Sequence, residues 1–156
     1  MKLLVGVLAV LLLWSVPAGA QQKPGLHVIV EELSQDASTC GIGQSSIESI
    51  AALTLRNNGI HVVANSNPYF YVQATVMAVQ SASGRILRCD TNIYVTVQGI
   101  SSAQGAMGGF KSRQGYGKIV FCSSSGLSSD SVSEAGHYVL ISLENHIKLC
   151  LGELEY

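Results

Sequence analysis

The chain has 156 residues, with nine basic and ten acidic side chains, a formal net charge of −1 and only 12% charged residues. No basic run or stripe is present, which excludes a nucleic-acid-binding role, because that role needs a positive footprint. Four cysteines in so short a chain point to an oxidising compartment, and no C-x-x-C or C-x-x-H spacing supports a zinc site.

Met1-Lys2, an apolar run over 3–14 and the ending Ser15-Val16-Pro17-Ala18-Gly19-Ala20 read as a secretory signal peptide cleaved after Ala20. A spanning helix needs about 20 apolar residues, and this run has only about a dozen, so a membrane anchor is not expected. The first cysteine is Cys40, which leaves no lipid-attachment cysteine near the cleavage point. The division is therefore 1–20 signal peptide and 21–156 a single domain with one core.

Residues 26–33 (LHVIVEEL) are β-branched and predict a first strand, and 34–43 a loop carrying Cys40. Ser45-Ser46-Ile47-Glu48 has the form of a capping box. It predicts a helix near 46–57 with Ile47, Ile50, Ala51 and Leu55 on its apolar face. Asn58-Gly59 supplies the left-handed stop. A short strand over 60–63 and a turn over 64–68 follow.

The stretch 69–100 organises the chain. It predicts two long strands joined by a two-residue turn at Ser83-Gly84. Phe70, Val72, Ala74, Val76 and Ala78 then face Val97, Val95, Ile93, Thr91 and Cys89. Tyr71, Gln73, Thr75 and Met77 meet Thr96, Tyr94, Asn92 and Asp90 on the other side. One register separates an apolar face from a polar one, and a slip of one residue would mix them.

Residues 101–117 are rich in Gly and Ser and read as a long connection. A last strand covers 118–122, and Ser123-Ser124-Ser125-Gly126 reads as a turn. A second capping box, Ser131-Val132-Ser133-Glu134, opens a helix over 131–151 with the stripe Val132, Ala135, Val139, Leu140, Leu143, Ile147, Cys150 and Leu151. The expected fold is α+β, an antiparallel-rich sheet with both helices on one face, in the order β-α-β-β-β-α.

Four cysteines allow three connectivities. In this topology Cys40 and Cys89 lie at one end of the sheet and pair. That leaves Cys122 with Cys150, although Cys150 sits near the far end of a helix about 30 Å long.

Leu55-Arg56-Asn57-Asn58-Gly59-Ile60 followed by Pro68-Tyr69-Phe70-Tyr71-Val72 resembles a pattern in small exported bacterial proteins of unknown function. The element order is similar to that of the amino-terminal domain of the periplasmic Tol translocation protein. The resemblance implies a non-enzymatic envelope role and assigns no functional residues.

A hydrolase needs a nucleophile beside a base, but no Gly-x-Ser-x-Gly elbow occurs. His27, His61 and His146 could meet at one end of the sheet and hold a metal, yet none has local ligand spacing. The Gly-rich segment, with Phe110 and Tyr116, lacks phosphate-binding spacing and leads into a strand. On the open hairpin face, Tyr71, Gln73, Tyr94 and Gln98 form a polar-aromatic patch suited to contacts, although a solvated sheet face has the same look. The expectation is an exported, periplasmic or extracellular domain that contacts an envelope or secreted protein, with no cofactor and no enzymatic activity. The alternatives are a small-ligand or metal-binding secreted protein, and then a hydrolase.

Overall fold

The computed structural model of the protein describes residues 25–101 and 117–154. The signal-peptide reading and the Gly-rich segment over 102–116 lie outside them. The described elements are β1 (Gly25–Val30), α1 (Gln35–Thr39), α2 (Gln44–Asn57), β2 (His61–Val62), β3 (Tyr69–Gln80), β4 (Ile86–Ser101), β5 (Gly117–Asp130) and α3 (Ala135–Gly152). They form an α+β fold around one five-stranded sheet of order β2-β1-β3-β4-β5. The sheet is mixed: β1 runs parallel to β2 and β3, and the long pairs β3–β4 and β4–β5 are antiparallel.

The hairpin register is the one the alternation predicts, from Phe70 opposite Val97 to Ala78 opposite Cys89. The turn differs. Ser81 N–H bonds the Arg85 carbonyl at 2.8 Å, so the loop has three residues, Ala82, Ser83 and Gly84, with Gly84 at φ 79°. That loop shape favours glycine at its left-handed position. The pairing steps from Val79↔Arg88 to Gln80↔Ile86, leaving Leu87 as an extra residue that offsets the longer loop. Two local departures cancel, and the predicted faces survive.

Apolar side chains from all layers make one core. Leu26, Phe70, Val72, Ile93, Val95 and Val97 of the sheet meet Ile47, Ala51 and Leu55 of α2 and Val139, Leu143 and Ile147 of α3. Each such burial contributes about 1.5–3 kcal/mol before entropy is charged against it. The helices therefore lie on one face.

Where β1 ends at Val30, the edge of β3 beyond Val72 loses its strand partner. A short helix absent from the sequence reading replaces it. Asp36 of α1 accepts from Ala78 N–H at 3.0 Å, and the Ser34 hydroxyl donates to the Val76 carbonyl at 3.2 Å. At the other end of β3, the Asn67 amide accepts from Ile100 N–H at 2.9 Å and donates to its carbonyl at 2.7 Å, adding a side-chain rung to the ladder.

Helix α2 stops as predicted. Gly59 has φ 78°, its N–H bonds the Arg56 carbonyl at 2.9 Å, and Ile60 N–H bonds that of Leu55 at 3.0 Å. Neither predicted capping box forms in the usual way. Helix α2 begins earlier, behind Gly43, and Glu48 takes a bond from Gln44 at 3.2 Å instead. At α3 the Ser131 hydroxyl bonds the Glu134 carboxylate directly at 2.8 Å, and the regular helix begins at Ala135.

The last strand is the largest correction: β5 continues through the predicted serine turn to Asp130. Serine and glycine favour turns in isolation, but β4 offers a matching ladder along the whole segment, and tertiary pairing overrides local preference. The disulfides are the expected ones. Cys40–Cys89 has a Cα separation of 6.0 Å and Cys122–Cys150 one of 5.2 Å. The distant position of Cys150 is no obstacle, because α3 runs antiparallel to a strand longer than the one expected.

Candidate functional site

All three described helices contribute to the core on one side of the sheet. The opposite side carries Ile29 of β1 and Glu31 just beyond it, Tyr69, Tyr71 and Gln73 of β3, Tyr94, Thr96 and Gln98 of β4, and Ser125 and Leu127 of β5. Gln73 lies directly opposite Tyr94, and Tyr71 opposite Thr96. Tyr71, Gln73 and Tyr94 are half-buried and form a continuous strip. The Tyr71 hydroxyl donates to the Glu31 carboxylate at 2.9 Å. Desolvation against the sheet raises the Tyr71 phenol above its ordinary pKa, and the bond to Glu31 and that residue's charge push the same way.

Gln98 does not join this strip at the surface. It is only 3% exposed, and its amide donates to the Tyr69 hydroxyl at 3.2 Å. Thr96 is fully buried and donates to the Cys122 carbonyl at 2.8 Å, next to the bulge where β5 gains a residue. Alternation reports which face a residue takes, not how deep it sits, so the sequence carried no signal for these two. At the far margin Asp90 is held by Arg88 at 2.9 Å and by the Ser129 hydroxyl at 2.6 Å. The bonds from Arg88, then that from Ser129, keep its carboxyl below the usual range.

On the helix side, β5 presents Cys122, Ser124, Gly126, Ser128 and Asp130, the partners of Val97, Val95, Ile93, Thr91 and Cys89. Ser124 Oγ and His146 Nδ1 of α3 are 2.8 Å apart. The imidazole lies against Gly126, where an added Cβ would collide with Nε2. Among the described residues, no third group bonds this ring, so the pair lacks the orienting partner of a catalytic triad. It reads as a tie between helix and strand. Thr91 Oγ1, Ser128 Oγ and Asp130 Oδ2 are buried along the same seam without a partner among the described residues. Each such group costs about 1–3 kcal/mol, and the Gln98 Oε1 on β4 is buried in the same way.

The three histidines do not meet. His27 is in β1 and His61 in β2, whereas His146 of α3 packs against β5, with β3 and β4 between. Among the described residues, no group of three or more His, Cys, Asp or Glu side chains could hold a metal ion. A hollow of about 250 Å³ lies where the starts of α2 and α3 approach, with Gly136 against the Gly41 carbonyl. Among the described residues, the only titratable side chain lining it besides disulfide-bonded Cys40 is His137, which is exposed. No described helix is long and apolar enough to cross a membrane.

No family model matches the chain, and no curated protein does. Among solved structures, it is similar to a minor lipoprotein from Acinetobacter baumannii, at 13% identity and a TM-score of 0.38, over 85% of this chain and 96% of that one. It is also similar to the rare lipoprotein B from Shewanella oneidensis, at 12% identity and a TM-score of 0.32, over 81% of this chain and 89% of that one. Likenesses this loose carry no argument about role. The likeness to the Tol domain, drawn from element order, is not shown.

Proposed function

We propose that the protein is an exported, non-enzymatic domain whose open sheet face, centred on Tyr71, Gln73 and Tyr94, contacts another envelope or secreted protein. The observation that carries this reading is the strip itself. Two half-buried tyrosine rings and a glutamine lie side by side on the face opposite the described helices, with Glu31 and the Arg88–Asp90 pair at its margins. Rigid aromatic rings give contact area at low entropic cost, and the amide adds hydrogen bonds without desolvating a charge. Export is supported by the two disulfides, which persist in oxidising compartments.

The test is a Tyr71→Ser/Tyr94→Ser double variant compared with the unaltered protein in affinity capture from envelope and secreted extracts. Capture of a specific partner should be lost while the thermal midpoint barely moves. Undiminished capture would leave this face an ordinary solvated surface, and a large fall in midpoint would make the rings structural.

A further inference from the structure

We infer that α1 is a guard on the outer edge of β3, and that releasing it lets this edge pair with the same edge of a second copy of this chain. This goes beyond the open-face reading and does not rest on it.

The guarded strand has the composition of one that pairs with itself. β3 (YFYVQATVMAVQ) has no charge, no proline and no glycine, and most of its residues are aromatic or β-branched. Short segments of this kind stack edge to edge when their backbone is accessible, and native proteins cover such edges. Over 69–72 the outer side of β3 is taken by the backbone of β1. Further along it is taken by side chains. The Ser34 hydroxyl donates to the Val76 carbonyl at 3.2 Å, and the Asp36 carboxylate accepts from Ala78 N–H at 3.0 Å. Both bonds join residues 42 apart in sequence, the same separation as Val28↔Phe70 and Val30↔Val72 in the parallel ladder. The chain thus keeps the register of β1 while exchanging a backbone N–H and C=O for a hydroxyl and a carboxylate.

That exchange bears on association. A strand in this place would satisfy β3 and present a fresh edge of its own, whereas a helical turn satisfies β3 and ends the ladder. Two further contacts hold the turn down. Ala37 is 1% exposed and belongs to the core, and Cys40 at the end of α1 is bonded to Cys89, the ladder partner of Ala78. The covalent link therefore crosses β3 at the guarded position. With the guard displaced, 74–80 presents an uncharged run to an incoming strand. An identical run, antiparallel about a two-fold axis, is the partner that matches it.

Sedimentation velocity of the full chain, across concentrations up to near-millimolar, is the test. Ser34→Ala/Asp36→Ala should self-associate about tenfold more strongly than the unaltered protein, or more. Asp36→Ala alone, which leaves Ser34 in place, should move the same way and serves if the double variant does not fold. Asp36→Asn should behave as the parent, because its amide oxygen still accepts from Ala78 N–H. Thr75 is exposed on the open face, and Thr75→Lys added to the double variant should suppress the association, since a lysine blunts an edge. Gly126→Ala loosens the far side of the sheet, where its methyl group meets His146, and should not promote association. Amide exchange over 74–80 in the double variant should slow as concentration rises. Guard variants that associate no more than the parent would overturn the inference. So would a lysine without effect, or Gly126→Ala associating as strongly, which would trace the effect to loosening in general.

Discussion

The β3–β4 hairpin and the β5–α3 seam cover the same helical layer by different means. Under the hairpin the sheet offers Phe70, Val72, Ile93 and Val95, all buried against α2 and α3. Under β5 it offers two serines, a glycine and an aspartate, tied to α3 by a disulfide and by the Ser124–His146 bond. The first region is held by the area it removes from water. The second is held by specific links. A strand can therefore belong to a core without being apolar, provided its neighbours and cross-links hold it there.

The sharpest way to break this contrast is to cut into the apolar half. Phe70→Ala should destabilise by about 3–5 kcal/mol, because the side chain is fully buried at the centre of the sheet. Denaturant unfolding followed by far-ultraviolet circular dichroism would check this. Next is the link on the other side. Replacing both Cys122 and Cys150 by alanine removes a bridge across a separation of 28 residues. The expected cost is about 3 kcal/mol, with amide exchange rising mainly in β5 and α3. Equal loosening of the hairpin would show that the two regions do not differ as described.

A smaller effect should come from Gly126→Ala, because the added methyl group collides with the His146 ring. Overpacking of this kind costs about 1–3 kcal/mol. Adding His146→Ala should recover part of the loss, and a double-mutant cycle with no coupling would mean that ring and glycine do not press on each other.

The smallest effect concerns Tyr71. Its raised pKa means that the folded state favours the neutral phenol. The associated stability is present below the unfolded value and is lost as pH rises through the folded one. Spectrophotometric titration should find Tyr71 ionising later than an exposed tyrosine, and Glu31→Gln should bring it back toward the ordinary value.

The same contrast explains what the sequence could disclose. The hairpin faces and register were legible because a period of two leaves one consistent answer over many residues. The turn was misread by one residue, since nothing local reveals that Leu87 will be set aside as a bulge. The cysteine pairing was legible once the sheet order was assumed. β5 was not, because Ser123-Ser124-Ser125-Gly126 has the composition of a turn and becomes strand only through β4. Helix α1 was missed for a related reason: Asp36 and Ser34 act on the edge of β3, a partner distant in sequence. In the candidate site, Tyr71, Gln73 and Tyr94 were placed correctly on one face, while the depth of Gln98 depends on the neighbouring strands.

The two disulfides close consecutive stretches of chain, 40 to 89 and then 122 to 150, which neither overlap nor nest. In a chain delivered to an oxidant amino terminus first, Cys40 and Cys89 would both be available before Cys122 arrives. Joining each cysteine to the next in order of arrival yields the native connectivity, with no later exchange of partners in that sequence. The order of cysteines along the chain thus acts as its own assembly instruction.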